Sequence, residues 1–392
     1  MNLRILVAHS AYQYRGGEDS VVESEIDLLR SHGHEVETYF RNNDDVKSMS
    51  LASVAVQTLW SSKAANDLTE LINSFHPDVI HVHNTLPLIS PSIYWAAGRA
   101  GVPVVQTLHN FRLMCLGALY LREGKICEDC VGHLPWSGIV HKCYRGSVTA
   151  SAVLAGMLTF HRILGTYRNK ISRYIALNDF CRNKFIDGGL PPELIAVKPN
   201  FVDTLAPLDM PRNGILFVGR LSVEKGIESL SNAAKLLPDM ILRVAGDGPQ
   251  TCLLDEVTGV VMLGPISTDR VRAEMNSAIA LVLPSICYEN FPRTIVEAYA
   301  AKLPVIASRT GSLTELVLEG ETGLLFEPGN AQDMAEKLAW ALSHPEKMAV
   351  MGINARSKYE AEFTADKNYA ALINIYEDAI QDNLASMQKI IN

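Results

Sequence analysis

The feature that most constrains this chain is a rhythm. Short runs of Val, Ile and Leu alternate with longer amphipathic stretches along nearly the whole sequence. Such alternation predicts repeated βα units and a parallel sheet. In the first half the predicted strands are "RILVAHS", "EVETYF", "DVIHVHN", "VPVVQTLH" and "YIALN". Helices are expected between them, over Ser20–Ser31 and Val54–Phe75 among others. In the second half the strands are "GILFVGRL", "ILRVAGDG", "VVMLGPI", "IALVLPS", "LPVIAS" and "TGLLFEPG". Near-continuous apolar runs suit strands buried on both faces. The expected fold class is therefore α/β, with two doubly wound domains whose ligand sites lie beyond the carboxyl ends of the strands.

At 392 residues the chain exceeds one ordinary core. The predicted boundary is the proline-rich stretch Lys198–Gly214, which lacks periodicity. This gives a first domain over residues 1–203, a second over 204–366, and a final helix over 367–392 that packs back on the first. Residues 111–146 break the pattern and read as an insertion in the first domain.

Hydrophobic residues make up 48% of the chain and charged residues 20%, as in a globular protein. The net charge of −8 argues against nucleic acid as a partner, since phosphate binding needs a concentrated basic face. The amino-terminal residues read as a first strand, not a signal peptide, and the uncharged run Gly146–Phe160 is short for a membrane span. A cytoplasmic protein with reduced or metal-bound cysteines is the expectation.

The second half carries most of the candidate chemistry. In "ENFPRTIVEA" the helix is expected from Pro292 to Ala301, because proline suits a first helical position. Glu289 then stands in the loop before it, and Glu297 lies inside the helix with its side chain leaning back toward the start. The free amides at the helix start, around Asn290–Arg293, form a candidate anion site between two carboxylates. Carboxylates accept hydrogen bonds from sugar hydroxyls. The plain alternative is an exposed helix face with an Arg293–Glu297 pair. In "FVGRLSVEKG" a strand ends at Gly219, followed by Arg220 and Lys225, two cations that suit a diphosphate or are ordinary surface charges. Gly246 in "AGDGP" and Pro265 in "LGPI" are candidates to line a nucleotide base. The full spacing of a dinucleotide fingerprint is missing there, which disfavours a nicotinamide enzyme.

In the first half, Gly16 and Gly17 let backbone approach a ligand closely. The helix that follows is expected to start near Ser20. His109 ends a strand, where it could donate a hydrogen bond to a substrate hydroxyl or phosphate; the alternative is a structural histidine. Cys115, Cys127, Cys130 and Cys143 lie in the insertion. The central C-x-x-C is half of a structural zinc site, and the alternative is four reduced thiols. The stretch after it combines apolar residues with Lys142, Arg145, Arg162, Arg168, Lys170 and Arg173. That combination suits either peripheral contact with an anionic membrane or a packed helix with snorkelling cations.

Taken together, "GGED", "TLHN", "GRLSVEKG", "GDGP", Glu289 with Glu297, and "TGLLFEPGN" resemble retaining glycosyltransferases of family four, also called glycosyl transferases group 1. The resemblance spans nearly the whole chain and is most specific in the second half. The four-cysteine insertion would mark a subgroup. The resemblance implies the GT-B fold, two Rossmann-like domains facing across a cleft. It implies transfer of a sugar from a UDP- or GDP-sugar donor to a glycan or lipid-linked acceptor, in bacterial surface polysaccharide synthesis. Arg220 and Lys225 match the diphosphate-binding pair, Glu289 the glutamate at the donor sugar, and Glu297 the one at the ribose. Gly17, Gly219, Gly246, Pro265, Asn290 and Phe291 fall in the donor loops, and His109 matches the cleft histidine. The family usually has glycine where Pro292 and Phe201 stand. The implied chemistry needs no metal cofactor; a structural zinc would be the only one. A nucleotide-sugar epimerase and a non-catalytic interaction protein are the competing readings.

Overall fold

The computed structural model describes residues 2–13, 16–203 and 210–391, so part of the expected boundary, residues 204–209, lies outside the described residues. The chain divides into two compact units. The first holds residues 1–118, 128–199 and 368–392, and the second holds 119–127 and 200–367.

The strands of the first unit are β1 (Arg4–Ala11), β2 (Glu35–Asn42), β3 (Val79–Asn84) and β4 (Val104–Thr107). A short antiparallel hairpin, β5 (Leu121–Arg122) and β6 (Lys125–Ile126), follows in sequence. Then come β7 (Arg173–Ala176) and β8 (Ile195–Val197). The main sheet runs β2-β1-β3-β4-β7-β8, and every pairing is parallel. β1, β3 and β4 are buried almost throughout, whereas the edge strand β2 alternates between exposed and covered residues. That difference follows from position, since only inner strands have helices over both faces.

The second unit repeats the plan with β9 (Ile215–Val218), β10 (Leu242–Ala245), β11 (Val260–Gly264), β12 (Ala280–Leu283), β13 (Val305–Ser308) and β14 (Gly323–Phe326). Its order is β11-β10-β9-β12-β13-β14, again all parallel. In each sheet the order reverses once, beside β1 and β3 in the first and beside β9 and β12 in the second. Crevices for ligands open at such switch points, beyond the carboxyl ends of the strands.

Three local expectations change. The helix expected over Val54–Phe75 is two helices, Leu51–Leu59 and Ser62–Phe75. Ser61 breaks the run by capping the second helix, its hydroxyl accepting from the Ala64 amide at 3.2 Å. The first helix begins at Gly17, not near Ser20, because the Asp19 carboxylate reaches back to the Gly16 amide at 2.9 Å. The insertion does not belong wholly to the first unit: its β5–β6 hairpin, within residues 119–127, groups with the second. Tyr120 packs near Tyr288 there, with ring centroids 5.7 Å apart.

The helix Ala365–Ile391 buries Leu372, Ile375, Tyr376 and Ala379 with Ile5, Val7, Leu29, Val79, Val105 and Ile175 in the core of the first unit. Each large apolar side chain so buried contributes about 1.5–3 kcal/mol. No described helix is long and apolar enough to cross a membrane. In the basic segment the helix Val148–Ile163 buries Leu154, Met157 and Leu158. Arg162 donates to the carbonyls of His133 and Leu113, Lys170 sits over the Trp95 ring at 4.6 Å, and Arg173 pairs with Asp382.

Candidate functional site

At the switch point of the second unit, two loops meet. One follows β9 from Gly219 to Gly226, and the other follows β12 from Pro284 to Pro292. They are joined by the Ile286 amide donating to the Glu224 carbonyl at 3.0 Å. Gly226 has φ +70, and a Cβ there would lie 1.9 Å from the Pro284 carbonyl oxygen. Only glycine permits that approach. A neighbouring loop is tied in the same way. The Gly219 amide donates to Ala245, the Leu221 amide to Asp247 and the Gly246 amide to Gly264, at 2.9–3.0 Å. A Cβ on Gly246 would meet the Gly219 carbonyl oxygen at 1.9 Å, which explains the glycine in "AGDGP". Pro265 directly follows this tie.

These loops bring Lys225 and Glu289 together. The Lys225 ammonium donates to Glu289 Oε1 at 2.6 Å, and the Ser285 hydroxyl donates to the same oxygen at 2.6 Å. Among the described residues no hydrogen bond reaches Oε2. The pair is largely buried, with side chains 26% and 13% exposed. Burial pushes the Glu289 carboxyl up, but the Lys225 ammonium and the two hydrogen bonds outweigh it and hold it below its ordinary value. Burial likewise pushes Lys225 down, and Glu289 more than restores it. Both groups are therefore charged at neutral pH. The Ser312 hydroxyl donates to the Glu289 carbonyl at 2.6 Å and fixes the loop. Arg220 is exposed and has no side-chain partner among the described residues.

The helix after this loop runs Arg293–Ala300, with Pro292 as its cap residue and no side-chain cap. Its first amides thus lack intrahelical partners. Phe291 is buried against Phe363, so what it can offer a ligand is backbone. Glu297 makes the pair that the plain alternative foresaw, Arg293 Nε lying 3.2 Å from Glu297 Oε1. Burial raises the Glu297 carboxyl, and Arg293 and Arg272 only partly offset it.

In the first unit, Gly16 caps the helix that starts at Gly17, and a Cβ on either would meet open space. Glu18, in the first turn of that helix, accepts from the Tyr12 hydroxyl at 2.9 Å, and burial raises its pKa to about 7. His109 lies just beyond β4, mostly buried with a partly exposed edge, its ring stacked on His83 with centroids 5.1 Å apart. His83 Nδ1 and His109 Nε2 are 2.8 Å apart. Behind them sit His81 and Glu25, and Lys198 forms a very short ion pair with Glu25. Burial, reinforced by the neighbouring imidazoles and the Lys198 ammonium, holds His83 and His109 well below the ordinary histidine value, so both rings are neutral.

Sequence reasoning singled out His109 and did not anticipate this cluster. One signal was present. In "HVHN" the two histidines sit two residues apart on a strand and so share a face. Nothing local foretold Glu25 or Lys198, which lie 173 residues apart.

The four cysteines of the insertion are divided between the units. Cys127 falls in the second unit and the other three in the first. Among the described residues, Cys115, Cys130 and Cys143 do not bring three sulfurs within 4.8 Å of one another.

Comparison with known proteins agrees with this geometry. The pattern of Glycosyltransferase Family 4 matches residues 15–205, and that of Glycosyl transferases group 1 matches residues 206–358. An uncharacterized glycosyltransferase of Methanocaldococcus jannaschii is 24% identical over 96% of this chain and 98% of its own length. The MMP alpha-(1->4)-mannosyltransferase of Mycolicibacterium hassiacum is 29% identical over 50% of this chain and 51% of its own. Among solved structures, a glycosyltransferase from Rickettsia africae superposes with a TM-score of 0.71 at 18% identity, covering 97% of this chain and 99% of its own. The Anabaena protein HepE, solved with UDP-glucose, gives 0.66 at 19% identity over 98% and 100%. Two parallel six-stranded α/β sheets, with adjoining family matches across residues 15–358, make this chain a member of the GT-B glycosyltransferases.

Proposed function

We propose that the chain transfers a sugar, with retention, from a nucleotide-diphosphate donor held by the second unit to a glycan or lipid-linked acceptor held by the first. The observation that carries this is the charged switch point of the second unit, where exposed Arg220 stands by the buried Lys225–Glu289 pair. Glu289 Oε1 is already occupied by Lys225 and Ser285, which leaves Oε2 to accept hydroxyls of the donor sugar. An ammonium has three donors, so Lys225 can keep Glu289 and still bind a phosphate oxygen.

In the reaction, the bond from the anomeric carbon to the phosphate oxygen breaks and the nucleoside diphosphate leaves with the electron pair. Arg220 and Lys225 stabilise the charge that develops on it. The acceptor hydroxyl attacks from the same face, and the departing phosphate takes its proton. Backbone amides at Asn290 and Phe291 serve the phosphates, Glu297 the ribose, and the loops carrying Gly219, Gly246 and Pro265 the base. Gly17 leaves open space for a ligand in the first unit. The UDP-glucose complex of HepE supports a nucleotide-sugar donor of this kind.

The test is a thermal-shift screen of the full chain against UDP-, GDP- and ADP-sugars. Stabilisation by several degrees with one of them is expected, since a ligand of the native state raises its melting temperature. No shift with any, at millimolar concentration, would overturn the reading.

A further inference from the structure

Behind His109 lies a buried cluster of titratable side chains outside the donor loops. Glu25, His81 and His83 each offer an atom within 4.8 Å of the others, a spacing that could suggest a metal site. The neighbours argue otherwise. Lys198, fully buried, forms its ion pair with Glu25 Oε1 and donates to Asn368 Oδ1 at 3.3 Å. A fixed ammonium against the carboxylate repels a second cation and already neutralises it. His81 is engaged at both nitrogens, Nε2 with the Thr107 hydroxyl at 2.8 Å and Nδ1 with the Tyr376 hydroxyl at 2.7 Å.

That leaves one polar atom unexplained. Glu25 Oε2 is buried without a hydrogen-bond partner. The nitrogens near it are His81 Nδ1 at 4.0 Å and His83 Nε2 at 3.7 Å. Since the first is taken by Tyr376, His83 Nε2 is the nitrogen left to face the carboxylate, and at 3.7 Å, beyond hydrogen-bond range, electrostatics still favours a proton on it. A bare lone pair there would face the negative charge. A neutral imidazole carries one proton. With it on Nε2, His83 Nδ1 is an acceptor, and the 2.8 Å contact to His109 requires His109 Nε2 to donate. His109 then has its lone pair at Nδ1.

We propose that Lys198, Glu25 and His83 are positioning residues that fix His109 in its Nε2-protonated tautomer, so that it meets a substrate hydroxyl as a hydrogen-bond acceptor through Nδ1. This reverses the donor role expected from the sequence and removes phosphate as a partner of that ring, because a bare nitrogen cannot donate. It rests on the transferase reading given above, within which His109 orients a hydroxyl and does not take its proton. The low basicity of the buried rings agrees with an orienting role. The other groups around the pair are consistent with two neutral rings. His9, 6.3 Å from His83 between ring centroids, is held by Asp19 at 2.8 Å, and Tyr376 faces His81 from the carboxyl-terminal helix.

Two measurements on the full chain test it. Nitrogen-15 NMR of histidine-labelled protein at neutral pH, assigned with His83→Phe and His109→Phe, should show His109 protonated at Nε2 and bare at Nδ1. The opposite tautomer, or a charged ring, would overturn the proposal whether or not a substrate is known. Kinetics with the donor found by the screen should show kcat of His83→Phe down roughly ten- to a hundredfold, with KM for the nucleotide sugar unchanged. His83→Asn, whose amide oxygen can take the place of Nδ1, should recover most of the loss. A folded His83→Phe variant with kcat within about twofold of the parent would sink the relay alone. A parent that transfers no sugar from any nucleotide donor would sink the transferase reading instead, and the tautomer measurement would still judge the relay. If His83→Phe fails to fold, His83→Asn carries the assignment and the kinetics.

Discussion

The two units place their candidate sites alike and fill them differently. Both use loops beyond the carboxyl ends of a parallel sheet, beside the point where strand order reverses. In the second unit the groups at that edge are charged and within reach of a ligand: Arg220 is exposed, and Lys225 and Glu289 keep some exposure. In the first unit the full charges sit behind the edge. Glu25 and Lys198 are at most 1% exposed, and the ring that reaches the surface, His109, is neutral. A diphosphate needs mobile cations that can turn to it, whereas a hydroxyl needs one fixed polar atom. Under the proposed function, one architecture would serve two kinds of ligand by changing how deeply its charge is buried.

The sharpest way to break this comparison is to remove a cation from each unit. Lys198→Met should destabilise the first unit by about 3–5 kcal/mol, because it leaves the Glu25 carboxylate buried and unpaired. Urea unfolding measures this, and adding Glu25→Gln to the same chain should restore most of the loss. Lys225→Ala should instead cut transfer by roughly a hundred- to a thousandfold, the usual effect of deleting a group that stabilises a departing anion. Its cost in stability should be far smaller, since Lys225 retains solvent contact. Equal behaviour of the two variants in either assay would mean that burial does not divide their roles.

Acid should separate the units next. His81 titrates at about 4, and His83 and His109 also lie well below the ordinary value of 6.5. Glu18, raised to about 7, holds an extra proton in the folded state over this range, but the three histidines outnumber it. The folded state of the first unit therefore binds fewer protons than the unfolded state once pH drops below about 6.5. Its stability should fall from there down through the folded pKa values, at up to about 1.4 kcal/mol per pH unit for each histidine. The Lys225–Glu289 pair works the other way round in range. Glu289 is depressed, so its contribution is present above the unfolded carboxylate value and is lost only as pH falls through the lower folded one. Calorimetry between pH 7 and pH 5 should thus weaken the first unit before the second. The smallest effect expected is that of Arg293→Ala. It removes the partner of the partly buried Glu297, whose carboxyl can take up a proton in response, and should cost about 1 kcal/mol.

Much of the fold was legible because it depends on local pattern. Continuous apolar runs marked the inner strands of both sheets, and the proline-rich stretch lay where the chain passes from one unit to the other. Where the reading failed, one polar residue outweighed the pattern. Ser61 split a helix and Asp19 started one early, each by hydrogen bonding a free amide. The three-residue strand β8 was too short to show a period. The hairpin of the insertion joined the other unit, which no property of its own nine residues signals. Among the site residues, Lys225 and Glu289 were found separately, each assigned to a different part of a ligand; their direct bond emerged only in three dimensions.

By itself, then, the sequence determined the α/β class, the division into two sheets, and the loops where chemistry sits. Those follow from hydrophobic period, glycine and proline, which act over a few residues. Tertiary structure alone decided which charges neutralise one another and which remain for a ligand. Lys198 and Glu25 are distant in sequence and adjacent in space, and the desolvation that makes their pairing necessary exists only once both are buried. The state of His109, whether it gives or accepts a hydrogen bond, is set through that same burial.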